Sequence, residues 1–178
     1  MSELLDQSIC YRRTLPLAAR RLQVAPPAEV VERMNRRNEA LLLMLESLEA
    51  AQPEGEDAHG HESSPELQRL ERKLDLALDL LFELLSDRLD RPQTVPVCFN
   101  EYAVQWQDGH GFPEGAWVEV DLYLHPLLPR AVKLLGQVTD GTRCEICLEG
   151  LNDTVRNLLS RFIFRQHRRE VARQRSAQ

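Results

Sequence analysis

The apolar residues of this 178-residue chain are spaced as on helices before residue 94 and as on strands after it. Fifteen of the thirty leucines lie between Leu41 and Leu89, where apolar residues recur after three or four positions. From Val95 they recur at every second position, and aromatic and β-branched side chains, which favour strands, become frequent. The sequence therefore predicts two architectures in series, a leucine-rich helical part and an antiparallel sheet or barrel.

The leucine-rich part is predicted to contain two helices separated by a linker. The first is predicted at about 28–50, and its seam consists of Val31, Met34, Asn38, Leu41, Leu45 and Leu48. Residues 52–64 are polar and acidic, which is typical of a solvated linker. Ser64 and Pro65 then indicate the start of a second helix, which we extend to about residue 90. Its heptad seam consists of Leu67, Leu70, Leu74, Ala77, Leu81 and Leu84.

These seams favour an interface between copies of the chain. The second helix is apolar on more than one face, so a neighbouring barrel covers only part of it. Asn38 stands at a seam position, where a polar residue fixes register in coiled coils. The alternative is a helical hairpin packed inside one chain. We expect self-assembly above the dimer through Met34, Asn38, Leu41 and Leu45 of the first helix and Leu67, Leu70, Leu74, Ala77, Leu81 and Leu84 of the second.

The other segments predict a small barrel and a closing helix. Residues 1–24 alternate weakly around Pro16 and are predicted to form an extended arm or edge strand. The closing helix is predicted at about 152–173, with Asn152 or Asp153 as its cap. Its Arg-x-x-x-Arg pairs, such as Arg161/Arg165 and Arg165/Arg169, are interpreted as a solvated basic face. Further strands are predicted at 95–99, 102–106, 117–124, 134–138 and 144–148.

The order of these elements resembles the PilZ domain family. The stretch GAWVEVDLYL from Gly115 is similar to the PilZ strand that follows a glycine turn, and LGQV from Leu135 is similar to the next strand. The Arg12-Arg13 pair precedes two leucine-rich helices, an order similar to that of the atypical, tetramer-forming PilZ subgroup. The resemblance implies an α+β fold, with two long heptad helices inserted between the N-terminal segment and a small antiparallel β-barrel, and with a C-terminal amphipathic helix.

The resemblance also divides the chain and implies a function. Residues 1–24 would belong to the barrel, 28–90 would form an oligomerisation insert, and 93–173 would form the rest of the barrel with its helix. PilZ domains are known chiefly as receptors for the bacterial second messenger cyclic di-GMP. We therefore expect a regulatory protein of bacterial signalling, concerned with motility or virulence.

The nucleotide-binding motifs of the family are altered in this chain. Active PilZ receptors carry Arg-x-x-x-Arg before the barrel, but Arg12 would need a partner at Pro16 and Arg13 at Leu17. Their second motif, Asp/Asn-x-Ser-x-x-Gly, falls on the stretch CFNEYA that begins at Cys98. Since the spacing of arginines decides whether both reach one ligand, we expect the cyclic di-GMP site to be lost. The alternative is a working receptor with a different geometry, using Arg12, Arg13, Arg20 or Arg21, with Asn100 as a further candidate.

Other functional classes find little support in the sequence. Cys144 and Cys147 have zinc-like spacing, but no second pair follows, so we interpret them as structural cysteines. No nucleophile with a base, P-loop or zinc-protease motif is present, so we expect neither an enzyme nor a cofactor. A net charge of −6 argues against a nucleic-acid coat. No apolar run approaches the ~20 residues of a membrane helix, and the N-terminus lacks the pattern of a secretory signal.

These observations together predict a non-enzymatic, cytoplasmic adaptor. The protein is expected to bind itself, as a homo-oligomer, and an unidentified signalling protein. Neither membrane insertion nor nucleic-acid binding is expected, and cyclic di-GMP binding is kept as the alternative.

Overall fold

Six antiparallel strands close into a barrel in the order β1-β2-β3-β6-β5-β4. The computed structural model describes residues 4–50, 92–107, 111–125, 128 and 130–176, with seven further residues between 69 and 80. The strands are β1 (Tyr11–Leu22), β2 (Thr94–Phe99), β3 (Ala103–Trp106), β4 (Trp117–Leu122), β5 (Val132–Asp140) and β6 (Glu145–Leu148). Two helices, α1 (Ala28–Ala50) and α2 (Asp153–Ser176), pack against each other, and α1 also packs against β5.

The strand β1 closes the barrel, so residues 11–22 are more than the arm or edge strand predicted from sequence. Tyr11 to Pro16 pair with β2, and Leu17 to Leu22 pair with β4. Pro16 lies where the pairing changes from one neighbour to the other, a place that suits a residue without an N–H to donate. Its carbonyl oxygen still accepts a hydrogen bond from the backbone N–H of Tyr123 at 3.1 Å.

The apolar side chains that alternate along the strands, as the sequence predicted, fill the barrel interior. In β4, Val118, Val120 and Leu122 are fully buried, and the residues between them are half-buried. Phe99, Trp106 and Phe162 of α2 are the largest fully buried side chains described. All three lie in the same core. Gly136 in β5 allows close approach to β6, because a Cβ there would lie 2.2 Å from the Cys147 carbonyl oxygen.

The two helices have the extents that their sequence signals indicate. α1 coincides with the predicted 28–50 segment. α2 begins after Asn152, whose Oδ1 accepts a hydrogen bond from the Val155 N–H at 2.9 Å, and it continues three residues beyond the predicted end. Cys144 precedes β6 in a turn with a φ of 49°, so it is not the strand residue that the sequence predicted.

The second leucine-rich helix lies largely outside the described residues. The seven residues described between 69 and 80 are helical, and all are exposed. Leu67, Leu81 and Leu84 of the predicted seam, and the acidic linker at 52–64, fall outside the described part of the chain.

Candidate functional site

The first pair of candidate arginines lies at the start of β1. Arg12 is paired in register with Cys98 of β2, and the neighbouring Cys98 side chain raises the pKa of the Arg12 guanidinium. Successive side chains of a strand point to opposite faces, so Arg13 is directed differently from Arg12. It lines a surface cavity of about 340 Å³ with Gln166 and Arg169 of α2. Arg12 and Arg13 are both exposed, and both also line a surface groove of about 370 Å³ beside β2 and β3.

The second pair of candidate arginines lies at the opposite end of the same strand. Arg20 forms an ion pair with Glu119 of β4 at 2.9 Å, and Arg21 is exposed. Eight residues separate Arg12 from Arg20, which is roughly 26 Å along an extended strand. The four arginines therefore form two separate groups and do not surround one ligand.

Asn100 is an internal support of the turn between β2 and β3. Its side chain is fully buried, and its Nδ2 donates a hydrogen bond to the Leu4 carbonyl oxygen at 2.9 Å. Its Oδ1 accepts hydrogen bonds from the backbone N–H groups of Tyr102 and Ala103, each at 2.8 Å. These three hydrogen bonds hold the Asn100 amide inside the turn.

The N-terminal segment and α2 hold the same turn from outside. Ser8 donates a hydrogen bond to the Glu101 carboxylate at 2.9 Å. Arg156 of α2 donates to the Glu101 carbonyl oxygen at 2.7 Å, and its guanidinium lies 5.1 Å from the centre of the Tyr102 ring. The turn that carries Asn100 and Glu101 is thus held by the N-terminal segment and by α2.

An ion-pair network joins β1, β4 and β5 on the outside of the barrel. Lys133 contacts Asp121 at 2.7 Å and Glu119 at 3.1 Å, and Arg20 contacts the other oxygen of Glu119. Burial by itself raises the pKa of Glu119, but hydrogen bonds from Arg20 and Lys133 outweigh it and hold the pKa below its ordinary value. Burial likewise acts to lower the pKa of Lys133, and its two carboxylate partners raise that pKa above the ordinary value.

A second ionic cluster, the α1–α2 clamp, joins the two helices. It consists of Glu46 and Glu49 of α1 with Arg161, Arg165, Gln166 and Arg169 of α2. Arg165 lies between the two carboxylates, at 3.0 Å from each, and Arg169 also donates to the Glu49 carbonyl oxygen at 3.1 Å. The Glu49 side chain is only 7% exposed. This corrects the interpretation of Arg161, Arg165 and Arg169 as a solvated face, because α1 supplies carboxylates at their spacing.

The predicted oligomer interface divides into two parts. Met34, Asn38, Leu41 and Leu45 are buried within the chain, where α1 covers the barrel. The Asn38 amide donates to the Lys133 carbonyl oxygen at 2.7 Å and accepts from the Lys133 N–H at 2.9 Å. These four residues therefore do not form the exposed seam expected from the sequence, because β5 already occupies that face.

Other apolar side chains of the helices are exposed instead. Leu70 and Leu74 are 64% and 59% exposed, and Ala77 is exposed as well. On α1, the exposed apolar side chains are Val30, Leu43, Met44 and Leu48. We call Leu43, Met44 and Leu48 the outer stripe of α1. Sequence analysis assigned Leu48 to the same seam as the buried residues, since spacing alone does not tell which side of a helix is covered.

The described part of the chain holds no group of three or more residues that could bind a metal ion. Cys144 is buried and Cys147 is half-buried. Among the described residues, no helix combines the length and the apolar character needed to cross a membrane.

Comparisons with known proteins identify the family. The family model described as "Atypical PilZ domain, cyclic di-GMP receptor" matches residues 39–176. The chain is also similar to a crystal structure of a pathogenic protein from Xanthomonas campestris, described as a tetrameric PilZ domain self-assembled via an unusual helical bundle. The TM-score is 0.71 at 24% identity, over 96% of this chain and 94% of that one. The search of curated proteins gave no match. On the extent of the family match, this chain belongs to the atypical PilZ domain family.

Proposed function

We propose that this chain is a non-enzymatic regulatory adaptor that self-assembles through its helices and does not bind cyclic di-GMP in the ordinary PilZ manner. The observation that carries the proposed loss of binding is Asn100, whose amide is fully buried and makes three hydrogen bonds within the chain. A ligand could reach it only by displacing the Leu4 contact and unfolding the turn.

The arginines support the same proposal. Binding of the two phosphates of a cyclic dinucleotide by arginine forks requires guanidinium groups that converge. Arg12 contacts Cys98, and Arg20 is paired with Glu119 at the other end of β1. The Glu101 carboxylate, within the altered motif CFNEYA, adds a negative charge that disfavours a phosphate there.

Titration calorimetry with cyclic di-GMP tests the loss of binding. We expect no low-micromolar binding by the full chain at moderate ionic strength. The alternative, a receptor that uses an unusual arginine geometry, predicts binding that is abolished by Arg12→Ala combined with Arg13→Ala. The matched control is Arg36→Ala together with Arg33→Ala, which removes two exposed arginines of α1. Low-micromolar binding by the unaltered chain would overturn our first proposal, whichever variant abolishes it.

Self-assembly is supported by the exposed apolar residues of the helices. Leu70, Leu74, Leu76 and Leu80 are each more than half exposed, and the outer stripe of α1 adds further apolar surface. Contiguous apolar surface of this kind is typical of protein–protein contacts. The Xanthomonas protein assembles as a tetramer via a helical bundle, and we propose the same order of assembly here, with Leu67, Leu81 and Leu84 extending the interface.

Light scattering after gel filtration tests the assembly. We expect a tetramer at micromolar concentration and a smaller species for Leu74→Glu, because association would bury an unpaired carboxylate. Arg69→Glu on the same helical segment is the matched control, since it introduces the same group away from the proposed seam. A monomeric wild-type chain would contradict the proposal.

The partner of the adaptor is proposed to be a cytoplasmic signalling protein. The end of α2 carries exposed arginines outside the α1–α2 clamp, namely Arg168, Arg173 and Arg175. Such a cluster suits an acidic protein surface. Affinity capture with the wild-type chain and with an Arg168→Ala/Arg173→Ala variant checks this proposal: the specific partner is expected to be lost with the variant, and equal recovery would contradict the role of this surface.

A further inference from the structure

Two cysteines meet on the outer face of the barrel where the N-terminal segment joins β1. Cys98 in β2 is the direct register partner of Arg12, so the two side chains lie on the same face. Cys10 precedes Arg12 by two residues, which directs its side chain to that face as well. The two thiols are close enough for Cys98 to contribute, after burial, to the raised pKa of Cys10. The two sulfur atoms are therefore neighbours across the β1–β2 pair.

The surroundings make the two thiols unequal. Arg12 is the register partner of Cys98, so its guanidinium brings a positive charge close to that side chain. The Cys10 Sγ donates a hydrogen bond to the Leu5 carbonyl oxygen at 2.8 Å, which holds it as a thiol. Burial, followed by the interactions with Cys98, raises the pKa of Cys10 to about 12. A positive charge next to a cysteine is the environment in which thiols react as nucleophiles, so Cys98 is the attacking sulfur of the pair.

A small oxidant can reach this pair. Both cysteines are half-buried, and a surface groove of about 370 Å³ is lined by Arg12, Cys98, Gln105 and Trp106. The other cysteines lie elsewhere, since Cys144 is buried and Cys147 is in β6, which β3 separates from β2. Among the four cysteines, Cys10 and Cys98 are the pair that the fold brings together in an accessible place.

We propose that Cys10 and Cys98 form a reversible oxidation site, in which a peroxide converts the two thiols into a disulfide that ties the N-terminal segment to β2. The Cys98 sulfur attacks the O–O bond of hydrogen peroxide, becomes a sulfenic acid and releases one water. The Cys10 sulfur then displaces the hydroxyl group from Cys98, which leaves as a second water with the Cys10 proton. The two thiols lose two electrons and two protons, and the peroxide is reduced to two waters. A dithiol reductant reverses the reaction by exchange.

The disulfide changes the contacts of Arg12 and of the N-terminal segment. A bridged Cys10 can no longer donate to the Leu5 carbonyl oxygen, and a bridged Cys98 is a weaker partner for the Arg12 guanidinium. Oxidation therefore turns Arg12 from a residue held by Cys98 into a residue available to the groove. This proposal is independent of self-assembly and of cyclic di-GMP binding.

Peptide mapping tests the proposal on the full chain. The protein is treated with hydrogen peroxide, alkylated, and digested with trypsin without reduction. Trypsin separates Cys10 from Cys98 and leaves Cys144 and Cys147 together on a third peptide. We expect the Cys10 and Cys98 peptides to be joined, with a mass lower by two hydrogen atoms than the sum of the two, and to be separated by dithiothreitol.

Three variants identify the role of each sulfur. In Cys10→Ser, Cys98 is expected to stop at the sulfenic acid, which dimedone traps. In Cys98→Ser, the cross-link is expected to disappear and dimedone is expected to label Cys10 far less. Cys147→Ser is the matched control and is expected to keep the cross-link. A folded wild-type chain without the Cys10–Cys98 link after peroxide treatment, or with a link to Cys144 or Cys147 instead, would overturn the proposal.

Discussion

At the residue scale, Asn38 and Asn100 are polar residues whose hydrogen-bond partners could not be read from the sequence. The sequence favoured Asn38 as a register-fixing residue between helices and assigned Asn100 to a nucleotide motif. Both are buried, and both use their amides to satisfy backbone groups within the chain. A polar residue at a seam or after a strand indicates that a polar partner exists, but the pattern does not say whether that partner is a ligand, another chain or the chain's own backbone.

The hydrogen bonds of Asn38 give a prediction on stability. Asn38→Ala is expected to lower the free energy of unfolding by about 2 kcal/mol, because the N–H and the carbonyl oxygen of Lys133 both lose their partner beneath α1. Chemical denaturation followed by circular dichroism measures this change. Asn157→Ala, at an exposed position of α2, is the control and is expected to change the stability little. Equal stabilities of the two variants would contradict the role given to Asn38.

The pKa of Glu119 gives a prediction on pH dependence. Although burial acts in the opposite direction, Arg20 and Lys133 hold this pKa below the ordinary value of 4.5. A lowered folded-state pKa contributes stability that is present above 4.5 and is lost as the pH falls through the folded-state value. Glu119→Gln is therefore expected to reduce stability at neutral pH and to flatten its fall in acid. Denaturation at a series of pH values checks this, and Glu114→Gln, at an exposed site, is expected to keep the wild-type slope.

At the element scale, the extents of the helices followed from sequence but their contacts did not. The spacing of apolar residues and the Asn152 cap indicated where α1 and α2 lie. The α1–α2 clamp was missed, because an Arg-x-x-x-Arg spacing on a helix is as typical of a solvated face as of an ionic contact. The signal that could have found it is the Glu46/Glu49 spacing near the end of α1, which matches one helical turn.

The clamp gives a prediction on helix packing. Glu49→Gln is expected to lower the free energy of unfolding by about 2 kcal/mol, less than the ~3–5 kcal/mol for a fully buried pair, since Arg165 and Arg169 keep some contact with water. The control is Glu32→Gln, which removes an exposed pair with Arg36 on the same helix and is expected to cost less than about 1 kcal/mol. Thermal and chemical denaturation measure both variants. A Glu49 effect no larger than the Glu32 effect would show that the clamp does not stabilise the packing.

At the scale of the whole molecule, the exposed apolar helical residues give a prediction on concentration. An assembly that binds only folded chains raises the Tm as the protein concentration increases. Calorimetry over a dilution series of about a hundredfold is therefore expected to show that the Tm of the wild-type chain falls as the protein is diluted. The Leu74→Glu variant is expected to keep one Tm throughout. A wild-type Tm that does not change with dilution would speak against assembly through these helices.

The sequence by itself determined the local architecture of this protein. The change in apolar spacing at residue 94 predicted a helical part followed by an antiparallel sheet or barrel. Only the tertiary structure decided which surface covers each apolar or charged face. In the folded chain the seam of α1 packs against β5, and arginines of α2 form ion pairs with Glu46 and Glu49. The physical reason is that periodicity fixes which side chains share a face of an element, whereas the partner of that face depends on how distant segments pack.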